Sequence, residues 1–300
     1  MALRLHITER QRRLGIELRK LREAAGLNLA DAAALIDMGR PHLNHIEAAR
    51  TAIPAERLRE LARGYGCTSA PYIDALVRMA ESNGKGWWSE YRKVMPARAI
   101  DLAELEDSTT EIASYETLLI PGLLQTEPYM RALFESARPD ATTVEIDTLV
   151  RFRLARQRIH TGERPPRLHA IIHEAALHMV IGGPHIMRGQ LAHLIRAAAH
   201  QHVTIQVLPF DRAHHTWVSA PFLFLSPGVP GLETVFIEHP AAALNLHEAQ
   251  DLDHYRAAVD TLARNALPSI VPAASPDRHE ERDSWGLVQH VLYTHRGALR

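Results

Sequence analysis

A single cysteine, Cys67, stands among 300 residues. No intramolecular disulfide and no site built on paired thiolates can form, which fits a reducing compartment. Long apolar runs are missing as well. None approaches the ~20 residues that a membrane-spanning helix needs, and Met1 to His6 lacks the apolar stretch of a signal peptide, so a cytoplasmic protein is expected. Strong charge of one sign is also absent. The formal net charge is −1, so any contact with nucleic acid must rest on a local basic surface. Hydrophobic content of 46% and charged content of 23% are ordinary for a globular chain, and the length predicts two domains.

The local basic surface is sought at the N-terminus. Met1 to Gly66 holds twelve Lys and Arg against eight Asp and Glu, a surplus of four. From Glu9 to Ala25, Leu14, Leu18, Leu21 and Ala25 recur at helical spacing with Arg12, Arg13, Arg19, Lys20 and Arg22 between them, predicting an amphipathic helix with a basic outer face. Gly26 supplies the stop. Asn28 is a suitable N-cap for a short second helix that buries Ala32, Ala33 and Ile36. Asp37-Met38-Gly39 then breaks the pattern, and Arg40-Pro41 opens a third helix with Leu43 and Ile46 inward. A fourth helix starts at Pro54 and packs through Leu58, Leu61 and Ala62, and a fifth covers Pro71 to Ser82 through Ile73, Leu76, Val77 and Ala80. Five short helices with a tight turn between the second and third are the layout of a helix-turn-helix domain. Periodicity alone also allows an unrelated small helical bundle.

Asn83-Gly84-Lys85-Gly86 reads as a flexible joint, dividing the chain into domains 1–83 and 84–300, and Trp87 and Trp88 are expected to dock on the second. Beyond the joint, helical stretches (Ile100 to Asp107, Glu127 to Ser136, Thr143 to His160, His185 to His200) alternate with strand-like ones. The strand candidates are Arg167 to His173, Val203 to Leu208, Phe222 to Leu225 and Thr234 to His239. The predicted fold class is α+β, an all-α five-helix domain followed by a larger mixed α+β domain. A final helix is expected within Asp277 to Tyr293.

Three segments carry a family likeness: Leu18-Arg19-Lys20-Leu21-Arg22-Glu23-Ala24-Ala25-Gly26-Leu27, Arg40-Pro41-His42-Leu43-Asn44-His45-Ile46-Glu47, and Leu58-Arg59-Glu60-Leu61-Ala62. Together they resemble the Cro/repressor-type, or xenobiotic-response-element, helix-turn-helix. The later block Trp87-Trp88, Ile112 to Glu116, Ile120 to Glu127, Tyr129, Gly182-Gly183-Pro184 and Val203 to Phe210 resembles the uncharacterised effector domain that follows such modules in actinobacterial regulators. The resemblance implies a regulator, often paired with a small partner protein encoded nearby in an arrangement likened to antitoxin and toxin. It also implies that the recognition helix covers Arg40 to Ala48, offering Arg40, Pro41, Asn44 and His45 to base edges. Arg can grip guanine and Asn adenine bidentately, and His42 and His45 can donate to phosphate or base. The sequence departs from the family pattern at Leu29, where a phosphate-anchoring Gln is usual, and at Ala48-Ala49, where Asn-Gly is usual. Asn28 and Arg50 are the expected compensating backbone contacts.

Other motifs carry less. His173-Glu174-Ala175-Ala176-Leu177-His178 places its histidines five apart, not the four of a zinc-binding helix, and no metal site or cofactor is expected. His160-Thr161-Gly162-Glu163-Arg164-Pro165 copies a zinc-finger linker without the cysteine ligands. Gly182-Gly183-Pro184 reads as a turn before a helix, Ser114, Ser219 and Ser226 lack a partnered His/Asp context, and Glu104 and Glu106 read as a solvated helix face. The cluster Trp87, Trp88, Tyr115, Leu123, Leu124, Tyr129 and Phe134 reads as core; if it forms a pocket, Glu116 and Gln125 supply the polar groups. The leading expectation is therefore a sequence-specific DNA-binding transcriptional regulator, a homodimer on double-stranded DNA, whose second domain receives a ligand or small partner protein. The alternative is an antitoxin-like adaptor that sequesters its partner without an operator. Enzyme activity has no residue-level support.

Overall fold

The computed structural model describes Arg4 and residues 7–213, 218, 220–239, 242–272 and 281–295. Two compact units divide it. One takes the chain to Arg92 together with Pro96–Leu105, and the other takes Lys93–Met95 and everything from Glu106 onward. The division expected at 83/84 therefore falls inside the first unit.

The first unit is helical: α1 (Glu9–Ala24), α2 (Leu29–Ala34), α3 (Arg40–Glu47), α4 (Ala55–Gly64), α5 (Ala70–Glu81), a 3-10 turn at Trp87–Tyr91, and most of α6 (Ala97–Asp107). A capping box starts α1: Gln11 N–H donates to Thr8 Oγ1 at 3.4 Å while Thr8 N–H donates to Gln11 Oε1 at 3.1 Å. Leu18, Leu43, Leu58, Leu61 and Leu76 fill the core without measurable exposure.

The basic outer face predicted for α1 is only partly present. Arg13 and Arg22 turn inward, because each has a carboxylate to neutralise it. Arg13 Nε lies 3.0 Å from Glu17, which also accepts the Tyr72 hydroxyl from α5. Arg22 grips both oxygens of Glu47 at 2.7 and 2.9 Å and donates to Leu27 O at 2.8 Å. Ala25, expected inside, is exposed, since the helix ends at Ala24.

Asn83 to Gly86 is a packed turn rather than a joint. Gly86 N–H donates to Ser89 Oγ at 3.0 Å, Arg92 donates to Gly84 O, and Trp88 folds back so closely that a β-carbon on Gly86 would lie 2.3 Å from its ring. Trp88 is buried, and Trp87 meets it edge to face at 5.8 Å. Both tryptophans therefore belong to the first unit. Nor is Glu104 a solvated residue: it is buried and bonded to Arg10 at 2.7 Å, tying α6 to α1.

The second unit is built on one six-stranded sheet of order β3-β2-β1-β4-β5-β6, with β1 (Glu111–Glu116), β2 (Arg167–His173), β3 (Val203–Leu208), β4 (Phe222–Ser226), β5 (Thr234–Glu238) and β6 (Ala243–Leu246). The first three are parallel, and β4, β5 and β6 continue antiparallel from β1. The β1-to-β2 crossover contains α7 (Glu127–Ala137) and α8 (Thr143–Gln157). The β2-to-β3 crossover contains α9 (Glu174–His178) and α10 (Pro184–Ala197). Both wind the same way, which puts their helices on one face of the sheet.

Two more short or terminal helices follow, α11 (Phe210–Ala213) and α13 (Ser284–Thr294), with α12 (Ala249–Asn265) between them. Through Leu252, Ala258 and Leu262, α12 covers the other face against Tyr115, Ile171, Phe222 and Val235. Helix α13 is capped by Asp283, which accepts from Gly286 N–H at 2.7 Å. The part of the expected final helix at 277–280, like Ser219, lies outside the described residues. Glu106 is buried against Arg156 at 2.7 Å, again not a solvated face.

Candidate nucleic-acid interface

Helix α3 is held from behind. Leu43 and Ile46 are buried, Glu47 is clamped by Arg22, and Gly15 on α1 lets the two helices meet so closely that a β-carbon there would lie 2.4 Å from Glu47 O. The turn leading into the helix is held by Arg57, which donates to Ile36 O at 2.6 Å, and Asp37 takes a positive φ of 49° within it. The opposite side of α3 is open. Arg40, Pro41, Asn44 and Ala48 are exposed, and the spacing 40, 44, 48 sets them along one line of the helix. That line spans roughly 12 Å at ~1.5 Å of rise per residue. His42 and His45 are half-buried at its flanks.

Most of the N-terminal arginines are engaged within the unit, so the local surplus overstates the free charge. Arg10, Arg13 and Arg22 sit in buried pairs, and Arg12, Arg19, Arg57 and Arg59 pair with Glu9, Glu23, Glu60 and Asp74. Arg40, Arg50 and Arg63 are exposed, and among the described residues no hydrogen bond or ion pair holds their side chains. A carboxylate, hydroxyl or phosphate acceptor is what such guanidinium groups lack.

Asn28 and Ala49, beside and within the two departures from the family pattern, have structural roles of their own. Asn28 caps α2, its Oδ1 accepting from Ala30 and Asp31 N–H at 2.8 and 3.0 Å, while its amide donates to Asp31 at 2.6 Å. That side chain is committed to the helix start. Ala49 holds a φ of 59°, a conformation that costs an L-residue ~1–2 kcal/mol, and Arg4 secures this corner by donating to Ala49 O and Thr51 O at 2.9 and 3.1 Å.

The six residues expected at a ligand or partner site are divided between the two units. Trp87 and Trp88 are in the first unit and Tyr115, Glu116, Gln125 and Tyr129 in the second. Within the second unit, strand alternation sends Tyr115 to the α12 face, 6.0 Å from Phe222, and Glu116 to the crossover face. Gln125 and Tyr129 brace the loop after β1: Gln125 donates to Ile120 O at 2.7 Å, and Ile120 N–H donates to the Tyr129 hydroxyl at 3.3 Å. Sequence reasoning missed Gln157 and Gln190, which complete this bracing by donating to Gly122 O, Gln125 O and Leu124 O. It also missed Arg153, which donates to Gln125 Oε1 at 2.6 Å and lies 4.5 Å over the Phe134 ring. No local pattern marks these residues, since their partners lie far from them along the chain.

His173 and His178 do not converge on a metal. His173 Nδ1 caps α9 by accepting from Ala175 N–H at 3.1 Å, and its ring meets Phe210 edge to face at 5.3 Å while His178 stacks on the same ring at 6.1 Å. Among the described residues no group of three or more His, Cys, Asp or Glu is placed to hold a metal ion, and no helix is long and apolar enough to cross a membrane.

Residues 13–76 match a family described as a Helix-turn-helix domain, the module of DNA-binding regulators. Residues 99–271 match one described as a Domain of unknown function (DUF5753). No curated protein and no solved structure matches the chain. The first match runs from within α1 to within α5, and the second spans more than half of the chain, including the whole sheet. The chain belongs to the DUF5753 family, with a helix-turn-helix DNA-binding domain ahead of the family domain.

Proposed function

We propose that this protein is a transcriptional regulator of the Cro/repressor type that binds its operator as a homodimer through the Arg40, Pro41, Asn44 face of α3, and that its second unit receives an effector rather than catalysing a reaction. Its place of action on this reading is the cytoplasm. The observation that carries the reading is the two-sidedness of α3: one side locked by Leu43, Ile46 and the Arg22–Glu47 pair, the other presenting an unpaired Arg and an Asn. Those two side chains have the donor and acceptor geometry for guanine and adenine edges in the major groove, each good bidentate pair adding ~1–3 kcal/mol of discrimination. His42, His45 and Arg50 flank them and suit phosphate contact. A reading face of roughly 12 Å spans three to four base pairs at ~3.4 Å each, too few for specificity, and two heads on an inverted repeat solve that.

A second reading has one observation in its favour. The phosphate-orienting positions are apolar or occupied, with Leu29 and Ala48-Ala49 in place of polar residues and Asn28 bonded to its own helix. An antitoxin-like adaptor that chiefly sequesters a small partner protein, encoded nearby, would tolerate those losses.

Binding of the full chain to DNA from upstream of its own gene, in competition with random DNA, separates the two. Arg40→Ala and Asn44→Ala should each lose ~1–3 kcal/mol on the operator and little on random DNA. Equal losses on both would reassign the residue to phosphate contact, and no operator preference in the wild-type chain would favour the adaptor.

A further inference from the structure

Helix α12 does not cover its face of the sheet evenly. Strand alternation and register sort that face into rows. Tyr115, with Ile171 opposite it on β2 and Phe222 opposite it on β4, forms a row buried beneath α12. Two residues nearer the start of β1 the next row is Ala113, with His169 on β2 and Phe224 on β4. Ala113 is the small member between two ring-bearing neighbours, so this row falls short of the helix. The result is a hollow of about 470 Å³ between the sheet and residues 256–260 of α12, with Ala113, His169, Phe224 and Val259 in its lining. These four are only half-buried, where close packing of sheet and helix would enclose them. Its volume lies in the range of small-molecule sites, ~300–1,000 Å³.

The free polar groups of the hollow are acceptors. The amide nitrogen of Gln206 donates to Ala263 O and Leu267 O at 3.3 and 3.0 Å, which leaves its Oε1 to face His169 Nε2 at 2.7 Å. His169 therefore donates through Nε2, and its neutral ring keeps Nδ1 as an acceptor to which no group among the described residues donates. Both guanidinium groups in the lining are engaged. Arg167 pairs with Glu111, and Arg256 is shared by Glu233 and Asp253. Asp260 stands one turn beyond Arg256 in the same lining and is exposed, and among the described residues no hydrogen bond or ion pair holds its carboxylate.

We propose that this hollow binds an aryl-alkyl amine whose ring carries a hydroxyl or N–H group. The ring lies on Ala113 and Phe224, its polar hydrogen goes to His169 Nδ1, and its ammonium group goes to Asp260. An anion is the poorer fit, because the guanidinium groups already have carboxylate partners and the Asp260 carboxylate has none. The binding site stands on the second unit alone. Only its role as an effector site rests on the regulatory reading above.

The test is calorimetry on the full chain with four probes: tyramine, phenethylamine without the hydroxyl, para-ethylphenol without the amine, and para-hydroxyphenylpropionate with a carboxylate in place of the amine. Saturable binding of tyramine is expected, about tenfold or more tighter than that of each of the other three. Ala113→Leu fills the floor of the hollow and should abolish binding while the protein melts no earlier than the wild type. Asp260→Asn should weaken binding about tenfold. Asp260 is exposed, so its variant carries the test should Ala113→Leu not fold. No binding of tyramine, binding of any other probe as tightly, or tyramine binding unchanged in Asp260→Asn or in a folded Ala113→Leu overturns the proposal. Operator affinity measured in parallel keeps the two readings apart. An amine that binds but leaves operator affinity unchanged upholds the site and removes its regulatory role.

Discussion

The side chains that most decide the DNA-binding head are not the ones that would touch DNA. Arg22 and Glu47 are nearly fully enclosed, at 9% and 6% side-chain exposure, and their bidentate pair bolts the end of α3 to α1. Removing one partner leaves the other charged and buried, which costs about 3–5 kcal/mol, whereas replacing both with apolar residues of similar volume is far milder. Arg22→Ala should therefore speed amide hydrogen exchange throughout α3 while leaving the strands of the second unit unchanged. Arg22→Met combined with Glu47→Met should recover most of the protection. Equal protection in the single variant and the wild type would show that the pair is not what holds the helix. Composition gave no hint of this, because a count of Arg and Lys in the first 66 residues does not distinguish a guanidinium buried against a carboxylate from one facing water. Arg40, which was legible as an outward residue from its place beside the inward Leu43 and Ile46, is the contrasting case.

Among elements, α1 and α3 approach closely at Gly15. A methyl group there would lie 2.4 Å from a backbone carbonyl that has no freedom to rotate away. Gly15→Ala should push α3 off its seat and lose operator binding, with a stability cost of about 1–3 kcal/mol typical of overpacking. Melting and gel-shift measurements on the same preparation check it, and a variant that melts and binds like the wild type would place the helix contact elsewhere. Elements with a clear period were legible: β2 and β3 have the bounds expected from their apolar runs, and α1 to α5 stand within two residues of expectation. Others left no such trace. The strand β1, Glu111-Ile112-Ala113-Ser114-Tyr115-Glu116, is paired on both sides, and its small and polar residues do not mark it as a central strand. The 17-residue α12 buries only Leu252, Ala258 and Leu262 along its length, so its inward stripe is faint until the sheet is there to receive it. The glycines of Asn83 to Gly86 resemble a linker by composition. In the fold Gly86 is required by the Trp88 ring lying against it, and Gly84 by its φ of 67°.

For the whole molecule, a helix-turn-helix head is joined in one chain to a larger family domain built on a six-stranded sheet. On the proposed function, two such heads read DNA through α3. Nuclease footprinting of the full chain on DNA upstream of its gene tests this most directly, with Arg40→Ala alongside the wild type. A protected inverted repeat whose half-sites lie one helical turn, ~34 Å, apart is expected, with the protection lost or strongly weakened in the variant. A single half-site protected by a monomer at full affinity, or a footprint identical in wild type and Arg40→Ala, would contradict it.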